Sequence, residues 1–281
     1  MEKSLKKYFW LFSLPTLIAF TIAFIIPFVL GLVLSFTSFT TVSNATFVGI
    51  TNYIEAFTRD KDFINALVFT VSFTVVSVIS VNLIGFSLAL LLTRKLPGTN
   101  AFRAVFFLPN LIGGIVLGYI WQLIINGILL NFGVSITADA TYGFWGLVVL
   151  MNWQMIGYMM IIYIAGISNV PTEQLEAARV DGAGYFRILF KIIIPSVMPS
   201  ITICLFLTLT NSFKLFDQNL ALTAGAPSKQ TQMLALDIYN TFYGRIGSEG
   251  IGQAKAVIFS VIVAFIALLQ LYITRKKEAE Y

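Results

Sequence analysis

Long apolar stretches separated by polar segments make up most of the chain. Six stretches, the last of them Ala256–Thr274, are free of acidic and basic residues over a length that can cross a bilayer, since a hydrocarbon core about 30 Å thick needs roughly 20 apolar residues in a helix. We place the six spans at about residues 10–35, 63–93, 104–125, 143–168, 192–213 and 254–274. The pattern predicts an all-α polytopic membrane protein, with six transmembrane helices in a single domain over residues 1–281.

The composition supports a chain that lies in a bilayer. Hydrophobic residues make up 58% of the sequence and charged residues 11%, whereas soluble domains average about 45–50% and about 25%. The chain has no histidine and one cysteine, Cys204, which excludes an internal disulfide and argues against zinc sites and Ser-His-Asp or Cys-His catalysis. We therefore expect a protein without enzymatic activity, metal or cofactor.

Basic residues are distributed unevenly among the segments outside the spans. The N-terminus, the second and fourth connecting segments and the C-terminus carry Lys3, Lys6, Lys7, Arg94, Lys95, Arg103, Arg179, Arg187, Lys191, Arg275, Lys276 and Lys277. Only half as many basic residues lie in the remaining connecting segments, the first, third and fifth. Because cytoplasmic loops carry an excess of lysine and arginine, we expect both termini and these two segments in the cytoplasm. Since the basic residues lie beside spans, the net charge of +5 does not indicate a nucleic-acid partner.

The fourth connecting segment, residues 169–194, has the pattern of helices outside the membrane. Pro171 suits the first turn of a helix, and the sequence Asp181–Gly184 would end that helix. An amphipathic stretch at Tyr185–Ile194 follows and suits the inner membrane surface. The pattern predicts a helix-turn-helix loop presented to the cytosol for docking.

This loop resembles the EAA motif of ABC-importer permeases. Glu176-Ala177-Ala178 is followed after three residues by Gly182 and after nine more by Ile192-Ile193-Ile194-Pro195. The spacing agrees with the family throughout. Ile194 is the one departure, since the family usually has leucine there.

Other segments are similar to the carbohydrate branch of these permeases. They are Phe107–Asn110, Asn152-Trp153, Phe213–Gln218 and Gly225-Ala226-Pro227, where the family usually has G-G-P. The chain thus resembles a carbohydrate ABC importer permease subunit (MalF/UgpA/MsmF-like, a binding-protein-dependent transport system inner membrane component). The resemblance implies the type I ABC importer permease fold and a multi-pass location in a bacterial cell (cytoplasmic) membrane.

The resemblance also implies that the loop couples the permease to a separate ATPase. The residues that match the coupling motif or adjoin it are Glu176, Ala177, Ala178, Arg179, Asp181 and Gly182. ATP and Mg would be bound by the partner ATPase, because this chain has no G-x-x-x-x-G-K-[ST] motif. The alternative is that Glu176 and Arg179 only form an i,i+3 pair on the surface.

A sugar pathway requires polar and aromatic groups inside the helix bundle. The candidates lie in spans four and five and just after them: Asn152, Trp153, Gln154, Tyr158, Asn211, Lys214 and Asp217. The resemblance places sugar contacts on these two helices. As alternatives, Trp153 and Tyr158 would be interfacial anchors, and Asn152 and Gln154 would form hydrogen bonds between helices.

The resemblance implies a multi-subunit importer in a lipid bilayer. Its partners would be a second homologous permease in a heterodimer, two copies of a cytoplasmic ATPase, an extracytoplasmic sugar-binding protein and the carbohydrate substrate. One alternative cargo is glycerol phosphate, for which Lys214 is the candidate cation. A self-sufficient secondary transporter would need ionisable residues within the spans, and a membrane enzyme would need a catalytic constellation that the sequence lacks.

Overall fold

The computed structural model describes residues 2–94, 97–244 and 246–278. Within them, fourteen α-helices follow one another: α1 Glu2–Phe20, α2 Ile26–Leu34, α3 Thr51–Thr58, α4 Lys61–Leu92, α5 Thr99–Phe107, α6 Gly114–Leu129, α7 Ala140–Ser168, α8 Thr172–Val180, α9 Tyr185–Ile188, α10 Ile194–Ser196, α11 Met198–Phe213, α12 Asp217–Leu222, α13 Leu234–Gly244 and α14 Glu249–Glu278. Two short antiparallel strands, β1 Thr37–Ser38 and β2 Thr46–Phe47, lie between α2 and α3 in the sequence. Lys95, one of the basic residues named above, lies outside the described residues. So does Arg245, which belongs to the smaller group of basic residues in the remaining connecting segments.

Five helices of the described residues are long and apolar enough to cross a membrane. They occupy Ser13–Leu34, Lys61–Leu92, Gly114–Phe132, Ala140–Ser168 and Glu249–Lys276. A sixth span is present if the bent pair Tyr185–Ser196 and Met198–Phe213 counts as one. The predicted all-α membrane fold with up to six spans is confirmed, while the cytoplasmic location of the termini stays a prediction.

The fifth predicted span differs from a straight helix over residues 192–213. The helical segments Tyr185–Ser196 and Met198–Phe213 meet at an angle of 71°. A π-helical turn at Leu189–Ile193 precedes the bend. Pro195 and Pro199 flank it, and because proline has no N–H to donate, it breaks the hydrogen-bond ladder of a helix. The straight part of this span therefore begins only at Met198.

The third predicted span, at residues 104–125, is also interrupted. α5 ends at Phe107, a 3-10 turn covers Leu108–Leu111, and α6 begins at Gly114. Pro109 lies in that turn and cannot continue the α5 ladder. The membrane-spanning helix is therefore α6, which starts about three turns later than the apolar run suggests.

The chain divides into two compact units. The first combines the residues up to Lys61 with Ile238–Ser260, and the second combines Asp62–Asp237 with the residues from Val261 onward. Each has its own internal packing, described in turn below. The single domain over residues 1–281 stays a prediction.

In the first unit, a buried amide ties the strand segment to α3. The Asn52 side chain donates to the carbonyl oxygens of Ser35 (3.0 Å) and Thr37 (2.8 Å). A Cβ at Gly250, in the first turn of α14, would lie 2.8 Å from the Asn52 amide nitrogen. The glycine therefore lets α14 approach this amide closely.

A buried ion pair also stabilises the first unit. The Lys255 ammonium of α14 lies 2.8 Å from the Asp60 carboxylate, with side-chain exposures of 0% and 14%. It also donates to the Thr241 hydroxyl of α13 at 2.7 Å. Because a charge is costly to remove from water, these contacts help to offset the cost of burying the ammonium.

In the second unit, α7 lies at the centre. Among the candidate spans of the described residues, it is the only one in which more than half of the most apolar part is buried. Small residues allow its neighbours to approach: a Cβ at Gly85 of α4 would lie 3.3 Å from Met159, and a Cβ at Gly157 of α7 would overlap the Phe106 carbonyl of α5. The residues of α7 are therefore fixed relative to α4 and α5.

Candidate functional site

The predicted coupling loop contains α8 and a glycine turn. α8 ends at Val180, and Gly182 follows with a φ of +75°. The Gly182 N–H donates to the Arg179 carbonyl (3.1 Å), and the Ala183 N–H donates to the Ala178 carbonyl (2.9 Å). These bonds form a Schellman motif, in which the left-handed residue is usually glycine because it has no Cβ. The motif thus has a glycine at this position because a residue just beyond the end of α8 takes a left-handed conformation.

The motif residues are presented to the surroundings. Glu176, Ala177, Arg179 and Asp181 are exposed, and Ala178 is half-buried. Within the described residues, Glu176 forms no ion pair with Arg179. The i,i+3 pair considered above as the alternative role is therefore not formed in this structure.

Apolar side chains surround the exposed motif. Val180 is 88% exposed and Phe186 is 71% exposed, although both are large apolar residues beside a polar helix. Leu175 faces the other way and packs against the core. The Arg94 guanidinium lies 5.9 Å from the centre of the Tyr185 ring, so the second connecting segment contacts this loop. The loop is therefore anchored by contacts with the rest of the unit, and it presents a partly apolar surface that suits protein docking.

The two amides of α7 form hydrogen bonds between helices. Asn152 donates to the Ser80 hydroxyl of α4 at 2.9 Å. Gln154 accepts a hydrogen bond of 2.8 Å from Gln218 of α12. These contacts agree with the interhelical alternative for both residues. The Asn152 Oδ1 atom, however, is buried without a hydrogen-bond partner in the described residues, so one acceptor stays available.

The two aromatic candidates of α7 occupy different environments. Trp153 is 43% exposed, and its ring lies 5.7 Å from Trp121 of α6 in an edge-to-face arrangement. Tyr158 is half-buried, with its ring 6.4 Å from Phe107. Trp153 and Trp121 together form an accessible aromatic surface, which is suited to the C–H face of a sugar ring.

The candidates that follow α7 in the sequence, Asn211, Lys214 and Asp217, are exposed. They have fewer contacts with α7 than Asn152 and Gln154 have with their neighbouring helices. Asn211 donates to the Leu207 carbonyl in its own helix at 2.8 Å. Lys214 follows the last residue of α11, and Asp217 begins α12. A Cβ at Gly114 would lie 2.7 Å from the Asp217 Cβ, so α12 packs on the start of α6. The Gln154–Gln218 bond joins this region to α7, whereas Asn211 stays apart.

The structure adds residues that sequence reasoning did not select. Trp121 and Ser80 complete the contacts of Trp153 and Asn152, and Gln218 binds Gln154. Gln218 lies in the segment that resembles the sugar branch, so that signal was available. No residue spacing identified Trp121 or Ser80, because they lie on other helices.

A buried polar network also fixes α4, α7 and α11 relative to one another. The Tyr163 hydroxyl donates to Asn82 (2.7 Å), and Asn82 donates to the Thr208 hydroxyl (3.2 Å). All three side chains are buried. Because such bonds satisfy polar groups in an apolar interior, this network orients α7, which carries Asn152 and Trp153, and α11, which carries Asn211, relative to α4.

Comparisons with known proteins agree with these features. Residues 88–279 match the family described as binding-protein-dependent transport system inner membrane component. The chain is 43% identical to the probable starch degradation products transport system permease protein AmyD of Thermoanaerobacterium thermosulfurigenes, with 97% of this chain and 96% of the relative covered. It is 30% identical to the multiple sugar-binding transport system permease protein MsmF of Streptococcus mutans, with 99% of both chains covered.

The fold is similar to that of solved ABC transporters. A chain of a bacterial ABC transporter involved in the import of the acidic polysaccharide alginate aligns with a TM-score of 0.82, at 20% identity and with 98% of both chains covered. A second structure holds that type of transporter in complex with an alginate pentasaccharide-bound periplasmic protein, again with a TM-score of 0.82, at 21% identity and with 99% of this chain and 98% of the other covered.

Proposed function

The chain belongs to the family of binding-protein-dependent transport system inner membrane components, and we propose that it forms half of the translocation pathway of an ATP-driven carbohydrate importer. The observation that carries the choice of cargo is the similarity, over 97% of the chain, to a relative named for starch degradation products. A neutral sugar or oligosaccharide also suits the accessible Trp153–Trp121 pair.

The proposed energy source is a separate ATPase. The exposed helix α8, with Glu176 and Arg179 free of each other, is the surface that would dock on it. ATP and Mg would bind to that subunit, and this chain would act as a non-catalytic permease. Closure of the ATPase pair would change the relative stability of inward- and outward-facing states, because a ligand shifts such an equilibrium only by its differential affinity.

The proposed complex contains four further subunits. A second homologous permease would complete the pathway, two ATPase copies would drive it, and an extracytoplasmic sugar-binding protein would deliver the cargo. The alginate transporter complexed with its periplasmic protein supports the last of these partners. Trp153, Gln154, Tyr158 and Asn152 would line the pathway, with Asn211, Lys214 and Asp217 near its end.

The test is purification of the tagged chain from its native membranes, with mass spectrometry of the proteins that accompany it. We expect a second permease and an ATPase at a defined ratio, and ATP-dependent uptake of maltotriose in proteoliposomes supplied with the binding protein. A chain that purifies alone and transports solute without ATP would contradict the proposal and favour a secondary transporter.

Removing the Glu176 carboxylate should weaken ATPase docking. We expect Glu176→Ala to insert normally but to retain about one tenth of the ATPase, as is typical when a central interface contact is truncated. The matched control is Glu173→Ala, since Glu173 is an exposed carboxylate of the same helix outside the motif. Equal ATPase recovery in the two variants, measured by quantitative mass spectrometry, would exclude the coupling role of Glu176.

Removing the Trp153 indole should impair transport without affecting assembly. We expect Trp153→Ala to lower the initial uptake rate of maltotriose about tenfold, which corresponds to ~1.4 kcal/mol of lost stacking. Trp10→Ala is the control, because Trp10 is another exposed tryptophan of a membrane helix, at 64%. If both variants take up sugar at the wild-type rate, Trp153 is an anchor in the bilayer interface.

A further inference from the structure

A cavity of about 610 Å³, wide open to the surroundings, lies between the N-terminal parts of α4 and α7. Its polar and aromatic lining consists of Asn65, Phe69 and Ser72 from α4, Thr141 and Phe144 from α7, and Gln230 from the segment before α13. Pockets that bind small molecules typically have volumes of about 300–1,000 Å³. The cavity therefore has room for a small organic ligand.

The lining has the chemistry of a site for a neutral, hydroxyl-rich ligand. It offers two amides and two hydroxyls but no acidic or basic side chain. Phe69 and Phe144 meet edge to face with ring centres 5.6 Å apart, which leaves ring surface for C–H groups. Most of the exposed lining is apolar, since Val68 and Ala140 complete it. Asn65 and Ser72 are nevertheless exposed on α4.

The wall that carries Gln230 is held in place by contacts on both sides. Lys229 forms an ion pair with Asp62 of α4, at 2.7 Å. Thr231 is buried and donates to the Ala226 carbonyl at 2.7 Å, and its own carbonyl accepts from Asn219 at 2.8 Å. The backbone at Gln230 is therefore held in place before any ligand binds, while its side chain is exposed.

The backbone of this wall is also strained. Ala224, Ser228 and Lys229 have φ values of +48°, +45° and +65°, in the left-handed region that favours glycine. Strained residues persist where the surrounding structure fixes them, and they occur preferentially at ligand-binding sites. The strain agrees with a wall shaped for binding and not for flexibility.

We propose that this cavity binds one or two rings of a neutral saccharide, as a second sugar site separate from the Trp153 region. The choice of ligand rests on the proposed carbohydrate function. Phe144 and Trp153 are nine residues apart on α7, which places them on faces about 180° apart in a helix. A single bound ring cannot contact both side chains. The cavity is thus an additional point of contact for the cargo and not an extension of the Trp153–Trp121 surface.

The test measures protection of an introduced thiol in the assembled permease complex, in nanodiscs without ATP or binding protein. Ser72→Cys is nearly isosteric and places a thiol in the cavity, while the natural Cys204 is buried. Maltotriose is added at about 10 mM, a concentration that occupies weak sites. We expect it to slow the alkylation of this thiol by a charged maleimide about threefold or more. Mass spectrometry of the peptide of this chain gives the rate.

Two controls make the result specific. Asn131→Cys places a thiol on an exposed residue outside the cavity, and maltotriose should not protect it. Trigalacturonate, a charged trisaccharide, should protect neither thiol, because the lining offers no cation. Adding Asn65→Leu to Ser72→Cys should remove the protection while leaving the unprotected rate unchanged.

The outcomes separate this proposal from the proposed function. Protection that persists when Trp153→Ala is added identifies the cavity itself, and it would stand even if the complex took up no sugar. A complex that imports maltotriose but shows equal alkylation rates with and without it would overturn the cavity proposal alone. A thiol that never reacts would overturn it too, since the cavity would then be closed to water.

Discussion

We expect Gly157→Ala to abolish uptake and to lower sharply the amount of folded protein in the membrane. A Cβ at this position would overlap the carbonyl oxygen of Phe106. That oxygen belongs to the backbone of α5, so it cannot rotate away as the end of a side chain could. Overpacking of this kind typically costs about 1–3 kcal/mol, and a backbone obstacle places the cost at the upper end. α5 and α7 would have to separate, which would also displace Tyr158.

The measurement compares Gly157→Ala with Gly127→Ala. Gly127 is also a helical glycine of a membrane span, in α6, but nothing lies within 4 Å of its missing Cβ. Alanine there should be neutral or stabilise the helix by up to about 1 kcal/mol. Size-exclusion chromatography after detergent extraction gives the folded fraction, and proteoliposome uptake gives activity. If the two variants behaved alike, close packing of α7 on α5 would not be required.

The membrane fold could be predicted largely from apolar length, because a bilayer constrains every helix that crosses it. The breaks within two spans could not be predicted in the same way. Pro109 and Pro195 are visible in the sequence, yet proline is often tolerated in membrane helices. The structure shows which prolines interrupt their spans: Pro109 lies in a 3-10 turn, and a bend of 71° follows Pro195.

The loop at residues 169–194 was more predictable than the contacts of the proposed pathway residues. The motif fixed Gly182 by its spacing, and its left-handed φ of +75° gives the physical reason. For Asn152, Gln154 and Trp153, the residue types could be read from the sequence, but not the direction in which each side chain points. α7 is apolar or small on almost all sides, so periodicity does not indicate which neighbour each side chain meets. Contacts with Ser80, Gln218 and Trp121 come from distant parts of the chain.

We expect Lys255→Met to lower the apparent Tm of the purified protein by roughly 10 °C. Removing one partner of a buried ion pair typically costs about 3–5 kcal/mol, and 1 kcal/mol shifts Tm by about 2–4 °C in a protein of some 200 residues. Here the ammonium is fully buried and the Asp60 carboxylate would keep its charge in a site that is 14% exposed. The hydrogen bond from Lys255 to the Thr241 hydroxyl would be lost as well.

A second ion pair of the chain provides the matched control. Lys229 and Asp62 are 2.7 Å apart, but their side chains are 44% and 34% exposed, so Lys229→Met should cost only about 0–1 kcal/mol. The double variant Asp60→Asn/Lys255→Met should recover part of the lost Tm, because a neutral amide then replaces the carboxylate that the Lys255 ammonium had balanced. This recovery distinguishes the ion pair from the packing of the lysine stem, which both variants lose equally. If Lys255→Met and Lys229→Met shift Tm by the same amount, burial contributes nothing to the Lys255–Asp60 pair.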